Sequence, residues 1–176
     1  MKFDHDNISP LDSRYANKIS ELRENFSESA LIKIRFNIEI EWLLYICINL
    51  PKTFKPLSKQ SIKKIAKFKD SFDNKSVLKI KKIESTTNHD VKAVEYYIRD
   101  YFLKDKVLST YIHLIHFGLT SEDINSLSYA HMIKDGIYIY IKELDKVNKI
   151  LKNYSKKWAK QPFLARTHGQ AASPST

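Results

Sequence analysis

Apolar positions recur at helical spacing along most of the chain. From Ser27 to Asn49 they place Leu31, Ile34, Ile38 and Trp42 on one face, and Pro51 ends the run. Between Ser58 and Phe72, Ile62, Ile65, Phe68 and Phe72 repeat at threes and fours, which predicts a short amphipathic helix. A further helix is expected to start near Asp90 and carry Val91, Val94, Tyr97, Ile98 and Tyr101; a shorter one covers Val107 to Phe117. The most regular stretch comes last. Ala130, Ile133, Ile137, Tyr140, Leu144, Val147, Leu151, Tyr154 and Trp158 form a heptad seam sustained over four repeats. Before the first helix, Met1 to Arg23 reads as irregular and polar, with a turn at Ser9-Pro10-Leu11-Asp12 that presents Arg14 and Tyr15. The pattern predicts an all-α fold.

A helix running from Ser121 to Trp158 is about 55 Å long. A compact chain of 176 residues has a radius of gyration of only about 16 Å. Such a rod therefore needs other long helices beside it, from another chain or from sequence outside this one.

Composition narrows the picture. Only 3 glycines among 176 residues leave few positive-φ turns and favour long helices. The single cysteine, Cys47, excludes an intramolecular disulfide framework and a multi-thiolate metal site, so it reads as an inert core thiol in a reducing compartment. The polar start from Met1 to Asn7 lacks the apolar run of a secretory signal, and no uncharged apolar stretch approaches the ~20 residues that span a bilayer. The expectation is a soluble cytoplasmic protein without a membrane partner. The formal net charge of +10 is concentrated between Lys52 and Lys82, where eleven lysines face Asp70 and Asp73. Lysines on the solvent side of an amphipathic helix explain that run without a nucleic-acid partner, which would add arginines, interleaved aromatics or a docking motif.

The chemistry is expected in three loops. Thr86-Thr87-Asn88-His89-Asp90 opens a helix with Thr87 and Asp90 spaced as a capping box. Gly118-Leu119-Thr120-Ser121-Glu122-Asp123 opens the long helix, with Thr120 and Asp123 again three apart. Both would present hydroxyls and free N–H groups at a positive helix end, which suits a carboxylate or phosphate. Arg166-Thr167-His168-Gly169-Gln170 follows the long helix and combines a cation, a hydroxyl, an imidazole and an amide. His113, His116 and His131 lack a nearby carboxylate or thiolate set; they read as helix residues, and no metal is expected. Trp42 and Trp158 read as core or bundle packing.

These loops, together with Ser9-Pro10-Leu11-Asp12-Ser13-Arg14-Tyr15, the run from Glu84 to Tyr96 and Ile115-His116-Phe117 before Gly118, resemble the adenylosuccinate lyase family of the fumarase/aspartase superfamily. The resemblance covers essentially all 176 residues and rests most specifically on Thr87-Asn88-His89-Asp90-Val91-Lys92-Ala93-Val94-Glu95. It implies an almost all-helical fold: residues 1–119 as an N-terminal helical domain, and 120–176 as the incomplete start of a central long-helix bundle. It also implies a homotetramer with active sites shared between subunits, which would supply the seam with neighbours.

The implied reaction is elimination of fumarate from adenylosuccinate, giving AMP, and from the succinyl-carboxamide ribotide of purine biosynthesis, without a cofactor. A base removes a proton beside a carboxylate, charge builds on that carboxylate, and an acid protonates the departing nitrogen. An imidazole suits the acid because its pKa lies near neutrality. By resemblance His168 is that acid and His89 supports it near the substrate phosphate. Arg14 and Tyr15 match positions that hold the nucleotide, and Asn88, His89 and Asp90 match a second substrate-binding loop. Thr120, Ser121 and Thr167 would aim donors at the developing charge, with Gln170 near the succinyl group. Ala171 stands where many relatives have Pro, and Ser13 where Gly is common. Thr176 falls where the family's second long helix should begin, so the serine base and further substrate-holding residues are expected outside this chain. Two alternatives are a catalytically silent remnant acting as an assembly module and, more distantly, a basic nucleic-acid-binding helical protein.

Overall fold

The computed structural model describes residues 8–176; the polar start read at Met1 to Asn7 lies outside the described residues. Six α-helices follow in order: α1 (Ser20–Phe26), α2 (Glu28–Asn49), α3 (Lys59–Asp70), α4 (Asn74–Thr87), α5 (Asp90–Leu103) and α6 (Ser121–Trp158). Short 3-10 segments cover Pro10–Asp12, Ala16–Lys18 and Leu108–Leu114, and a hairpin of β1 (Phe163–Thr167) and β2 (Gln170–Ser175) follows α6. The fold is the predominantly helical one that the spacing predicts, with that hairpin as its sheet. The chain divides into two compact units, residues 1–136 and 137–176, so the boundary falls inside α6.

In the first unit α2, α3 and α4 start where the sequence can cap them, whereas α1 follows Ile19 without a side-chain cap. Ser27 accepts the Ala30 N–H at the head of α2, Ser58 that of Ser61 at the head of α3, and Asp73 forms a reciprocal capping box with Ser76 at the head of α4. Asn88 closes α4 in the left-handed region, at φ 51°, which Asn tolerates better than most residues. The core is built on α2, whose Ile32, Phe36, Ile40, Leu43 and Ile46 pack with Ile65 and Phe68 of α3, Ile80 of α4, and Val94, Ile98 and Phe102 of α5. Phe36 meets Phe68 edge-on at 5.0 Å and stacks on Phe72 at 4.6 Å, while Phe68 stacks on Tyr101 at 3.7 Å. Cys47 is buried in this core, and burial pushes its thiol up.

Several expectations are corrected in this unit. The core face of α2 is not that of Leu31, Ile34, Ile38 and Trp42, all only half-buried, but that of Ile32, Phe36 and Leu43. Apolar residues surround most of α2, so periodicity alone does not single out its inner face, and the buried face includes Arg35 and Glu39. Ile62 is exposed and Ser61 buried in its place, its hydroxyl 2.8 Å from that of Ser58. Helix α1 occupies part of the stretch read as irregular, and α4 stands where no helix was expected. Within the Val107 to Phe117 segment the helix is a 3-10 helix over Leu108–Leu114 rather than an α-helix, followed by a turn. The lysine run is partly consumed by ion pairs: Lys64 with Asp105 at 2.6 Å, Lys81 with Glu28 and Glu84 at 2.6 and 2.9 Å, and Lys69 with Glu41.

Helix α6 spans the predicted 121–158. Within the first unit it buries Ile124, Ser128, Met132 and Gly136, one residue every turn. Asn25 donates to the Met132 carbonyl at 2.8 Å, and Gly136 leaves room for Phe26, since a Cβ there would lie 2.3 Å from the Phe26 Cζ. In the second unit the seam residues Ile137, Tyr140, Leu144, Val147, Leu151, Tyr154 and Trp158 are all exposed. The hairpin pairs Phe163 with Ser175 and Thr167 with Gln170. The turn between its strands is His168-Gly169, at φ 51° and 78°. Positive φ at both central residues is the signature of the two-residue turn whose twist matches the strands.

Candidate active site

The turn from Asn88 to Asp90 is set by the ends of two helices. Thr86 and Thr87 belong to the last turn of α4, and His89, not Thr87, caps α5: its Nδ1 accepts the Lys92 N–H at 3.2 Å. The expected Thr87/Asp90 capping box is absent because the left-handed Asn88 shifts the cap by two residues. Thr87 instead donates its hydroxyl to the His89 carbonyl at 3.3 Å, and Asp90 Oδ1 accepts the Val91 N–H at 2.8 Å. A neutral imidazole that accepts through Nδ1 carries its proton on Nε2. That Nε2 lies 3.4 Å from the Ser121 hydroxyl. Two of the three sequence-predicted loops therefore meet, with an N–H and a hydroxyl side by side at the starts of α5 and α6.

At the head of α6, Asp123 Oδ2 accepts both the N–H of Thr120 at 2.7 Å and its hydroxyl at 3.0 Å. Those donors hold the Asp123 carboxyl below the usual carboxylate range. The Thr120 hydroxyl is thus engaged, whereas Ser121 and His89 face each other. Asp90 is half-buried. Burial pushes its carboxyl up, but the Val91 N–H and the Arg35 guanidinium outweigh that and hold it below the usual range.

Beneath this surface lies a set of buried charges that periodicity did not reveal. Arg35 of α2, nearly fully buried, reaches Asp90 Oδ2 at 2.8 Å through Nη2 and Asn125 Oδ1 at 3.1 Å through Nε. Glu39, one turn further along α2, meets His116 Nδ1 at 2.5 Å. His116 is therefore no helix residue; it sits in a left-handed turn, at φ 61°, against a buried carboxylate. That contact raises its pKa above the ordinary value despite partial burial. Glu95, also buried, pairs with Lys92 at 2.7 Å and Arg99 at 3.2 Å. The readable signal for Arg35 and Glu39 was a pair of charges four apart among the apolar residues Ile32, Phe36, Ile40 and Leu43.

Arg14 and Tyr15 sit on the expected turn, where Ser9 caps the 3-10 segment and the Arg14 guanidinium lies 5.4 Å from the Tyr15 ring. Among the described residues, no hydrogen bond or ion pair joins them to the His89 turn. A groove of about 530 Å³ has Lys79, Lys82, Thr86, Thr87, Tyr101 and Lys104 in its wall, abutting the turn without including Asn88, His89 or Asp90. In the second unit, the loop expected over 166–170 is only the two-residue turn. Thr167 and Gln170 pair across the strand ends and present His168 at the exposed tip.

Comparison with known proteins identifies the family. A family model described as Lyase matches residues 13–176. The adenylosuccinate lyase of Buchnera aphidicola subsp. Schizaphis graminum is 40% identical over 172 residues, covering 96% of this chain and 38% of that protein. Those of Legionella pneumophila strain Corby and Escherichia coli K12 are 40% and 39% identical over 172 and 174 residues, with the same coverage. The chain thus spans well under half the length of these relatives and aligns with their N-terminal portion. With a helical fold, the motif turns at the heads of α5 and α6, and a family match over nearly all its residues, the chain belongs to the lyase family of the fumarase/aspartase fold.

Proposed function

We propose that this chain supplies the N-terminal part of an adenylosuccinate lyase, acting in purine biosynthesis on adenylosuccinate and the succinyl-carboxamide ribotide. The observation that carries the reading is the meeting of His89 Nε2 with the Ser121 hydroxyl. Two motif segments that are 32 residues apart in sequence form one donor-rich surface at two positive helix ends. Such a surface suits a substrate bearing a phosphate and two carboxylates.

In this reading His168 protonates the departing nitrogen. An exposed imidazole at the tip of a hairpin turn can be carried to a substrate, and a left-handed non-glycine residue is the kind of strain that accumulates at functional sites. Asn88, His89, Asp90, Arg14 and Tyr15 bind the nucleotide part. Ser121, Thr167 and Gln170 direct donors at the carboxylates, where charge develops as the C–H bond breaks, while Thr120, whose donors are held by Asp123, fixes the head of α6 beside them. No residue of this chain is assigned as the base. The active unit is a cytoplasmic homotetramer in which the exposed seam of α6 lies against other long helices.

The test is elimination of fumarate, followed by ultraviolet absorbance, in a form of the protein extended to the length of its relatives. His168→Asn is the informative variant because Asn tolerates the left-handed turn while removing the imidazole. Loss of a general acid should lower turnover about 10²–10⁴-fold with unchanged helicity. Turnover within a fewfold of the parent would reject His168 as the acid.

A further inference from the structure

The His89 turn and the head of α6 come from helices that are not neighbours in sequence, and their spacing must be fixed for His89 and Ser121 to face one ligand. One buried side chain touches both. Arg35 donates through Nη2 to Asp90, the first residue of α5 and the neighbour of His89, and through Nε to Asn125, one helical turn beyond Ser121 on the same face of α6. Its side chain is only 5% exposed, so little water competes for these donors. The planar fork of a guanidinium holds two acceptors at a fixed angle on separate nitrogens, here Nη2 and Nε; an ammonium carries all its donors on one rotatable nitrogen and fixes no such angle.

We infer that Arg35 is a positioning residue: the bridge Asp90–Arg35–Asn125 sets the distance between His89 and Ser121 and so holds the donor surface ready for an anionic ligand. Arg35 touches no ligand in this scheme and acts only through the two helix starts. The substrate-binding part of the inference rests on the function proposed above; the bridge itself does not. The opposite oxygen of Asp90 is already occupied by the Val91 N–H, so the carboxylate has one free edge, and Arg35 takes it. Releasing that edge lets the first turn of α5 fray, and with it the Lys92 N–H that fixes the His89 tautomer.

The experiment uses the 176-residue chain labelled with ¹⁵N and compares the parent with Arg35→Lys, Asn125→Ala and Asp90→Asn. The parent is expected to show His89 as a single tautomer protonated on Nε2, with a protected Lys92 amide. Arg35→Lys should give mixed tautomers and at least tenfold faster exchange at Lys92. Asn125→Ala, which cuts only the α6 arm, should perturb Ser121 and leave Lys92 protected. A purely structural arginine would lower the denaturation midpoint without moving the His89 tautomer, and that result overturns the inference. Should Arg35→Lys not fold, Asp90→Asn removes the same ion pair from the exposed side and must reproduce the Lys92 effect; a protected Lys92 there also overturns it. AMP serves as the binding probe, with parent and variants compared in the form extended to the length of the relatives. Parent binding weakened at least tenfold in Arg35→Lys supports the bridge, and equal binding refutes its role in the site. A parent that binds no AMP but shows the expected tautomer change rejects the proposed function and leaves the bridge standing.

Discussion

Raising the pH should destabilise the first unit through a single pair, His116 and Glu39. The Glu39 side chain is completely buried, that of His116 is 17% exposed, and Nδ1 lies 2.5 Å from Oε1. Glu39 Oε2 has no hydrogen-bond partner among the described residues, so the buried carboxylate depends on this imidazole. The Glu39 contact raises the His116 pKa against the opposing effect of burial; Glu95 reinforces the rise and Lys92 opposes it. A group whose folded pKa is raised contributes stability that is complete below its unfolded value of about 6.5 and is lost as pH climbs through the folded value. Each unit of difference is worth about 1.4 kcal/mol. Deprotonation leaves a neutral Nδ1–H that still donates, so the fall should stay below the about 3–5 kcal/mol expected when a buried ion pair loses one partner outright. Urea unfolding between pH 6 and 8.5, in a Trp158→Phe background, reads this through Trp42, whose indole N–H bonds the Phe117 carbonyl beside His116. His116→Asn keeps the left-handed turn and should be the less stable variant at pH 6, with a flatter profile. Glu39→Gln should also flatten the profile. A parent midpoint as flat as those of both variants would refute the reasoning.

Two further outcomes are expected. Gly169, at φ 78°, is the second turn residue of the hairpin; Gly169→Val should weaken the hairpin by about 1–2 kcal/mol, visible as loss of the cross-strand NOEs between Thr167 and Gln170, and unchanged NOEs would count against a strained turn. The exposed seam of α6 should make the chain self-associate at micromolar concentration in sedimentation velocity, with Leu144→Glu and Leu151→Glu together driving it toward monomer; a parent sedimenting as a monomer would contradict this.

What the sequence disclosed and what it hid divide along physical lines. Helices α3, α5 and α6 were legible because their polar and apolar faces alternate at helical spacing, and α6 began and ended at the expected residues. Helix α4 was hidden because its few apolar positions, Val77, Leu78, Ile80 and Ile83, lie among lysines, with Leu78 off the inner face, while its last turn, Thr86-Thr87, has the hydroxyls of a loop. The hairpin was hidden because β1 and β2 have five and six residues with mixed composition, and only the turn itself carries a conformational signature. The site residues named from motifs lie at helix ends, at strand ends or at a turn, and several of the backbone donors there are taken by local caps. What motif spacing could not supply was the support beneath them.

That support follows a rule more general than the family resemblance. A charged side chain in the middle of an apolar helix face must find a partner when the face is buried, since an unpaired charge there is strongly unfavourable. Arg35 and Glu39 sit one turn apart on the inner face of α2, so each had to reach outward along that face to a group at a chain reversal, where polar atoms are available. Arg35 finds Asp90 and Asn125; Glu39 finds His116. Two of these three partners flank the proposed substrate surface: Asp90 follows His89, and His116 precedes the Gly118 to Asp123 turn. Two helix starts and a left-handed turn are thereby tied to the helix that forms the centre of the core. Movement of the donor surface then requires breaking a buried ion pair, which is why the site's geometry and the first unit's stability should respond together to the same substitutions.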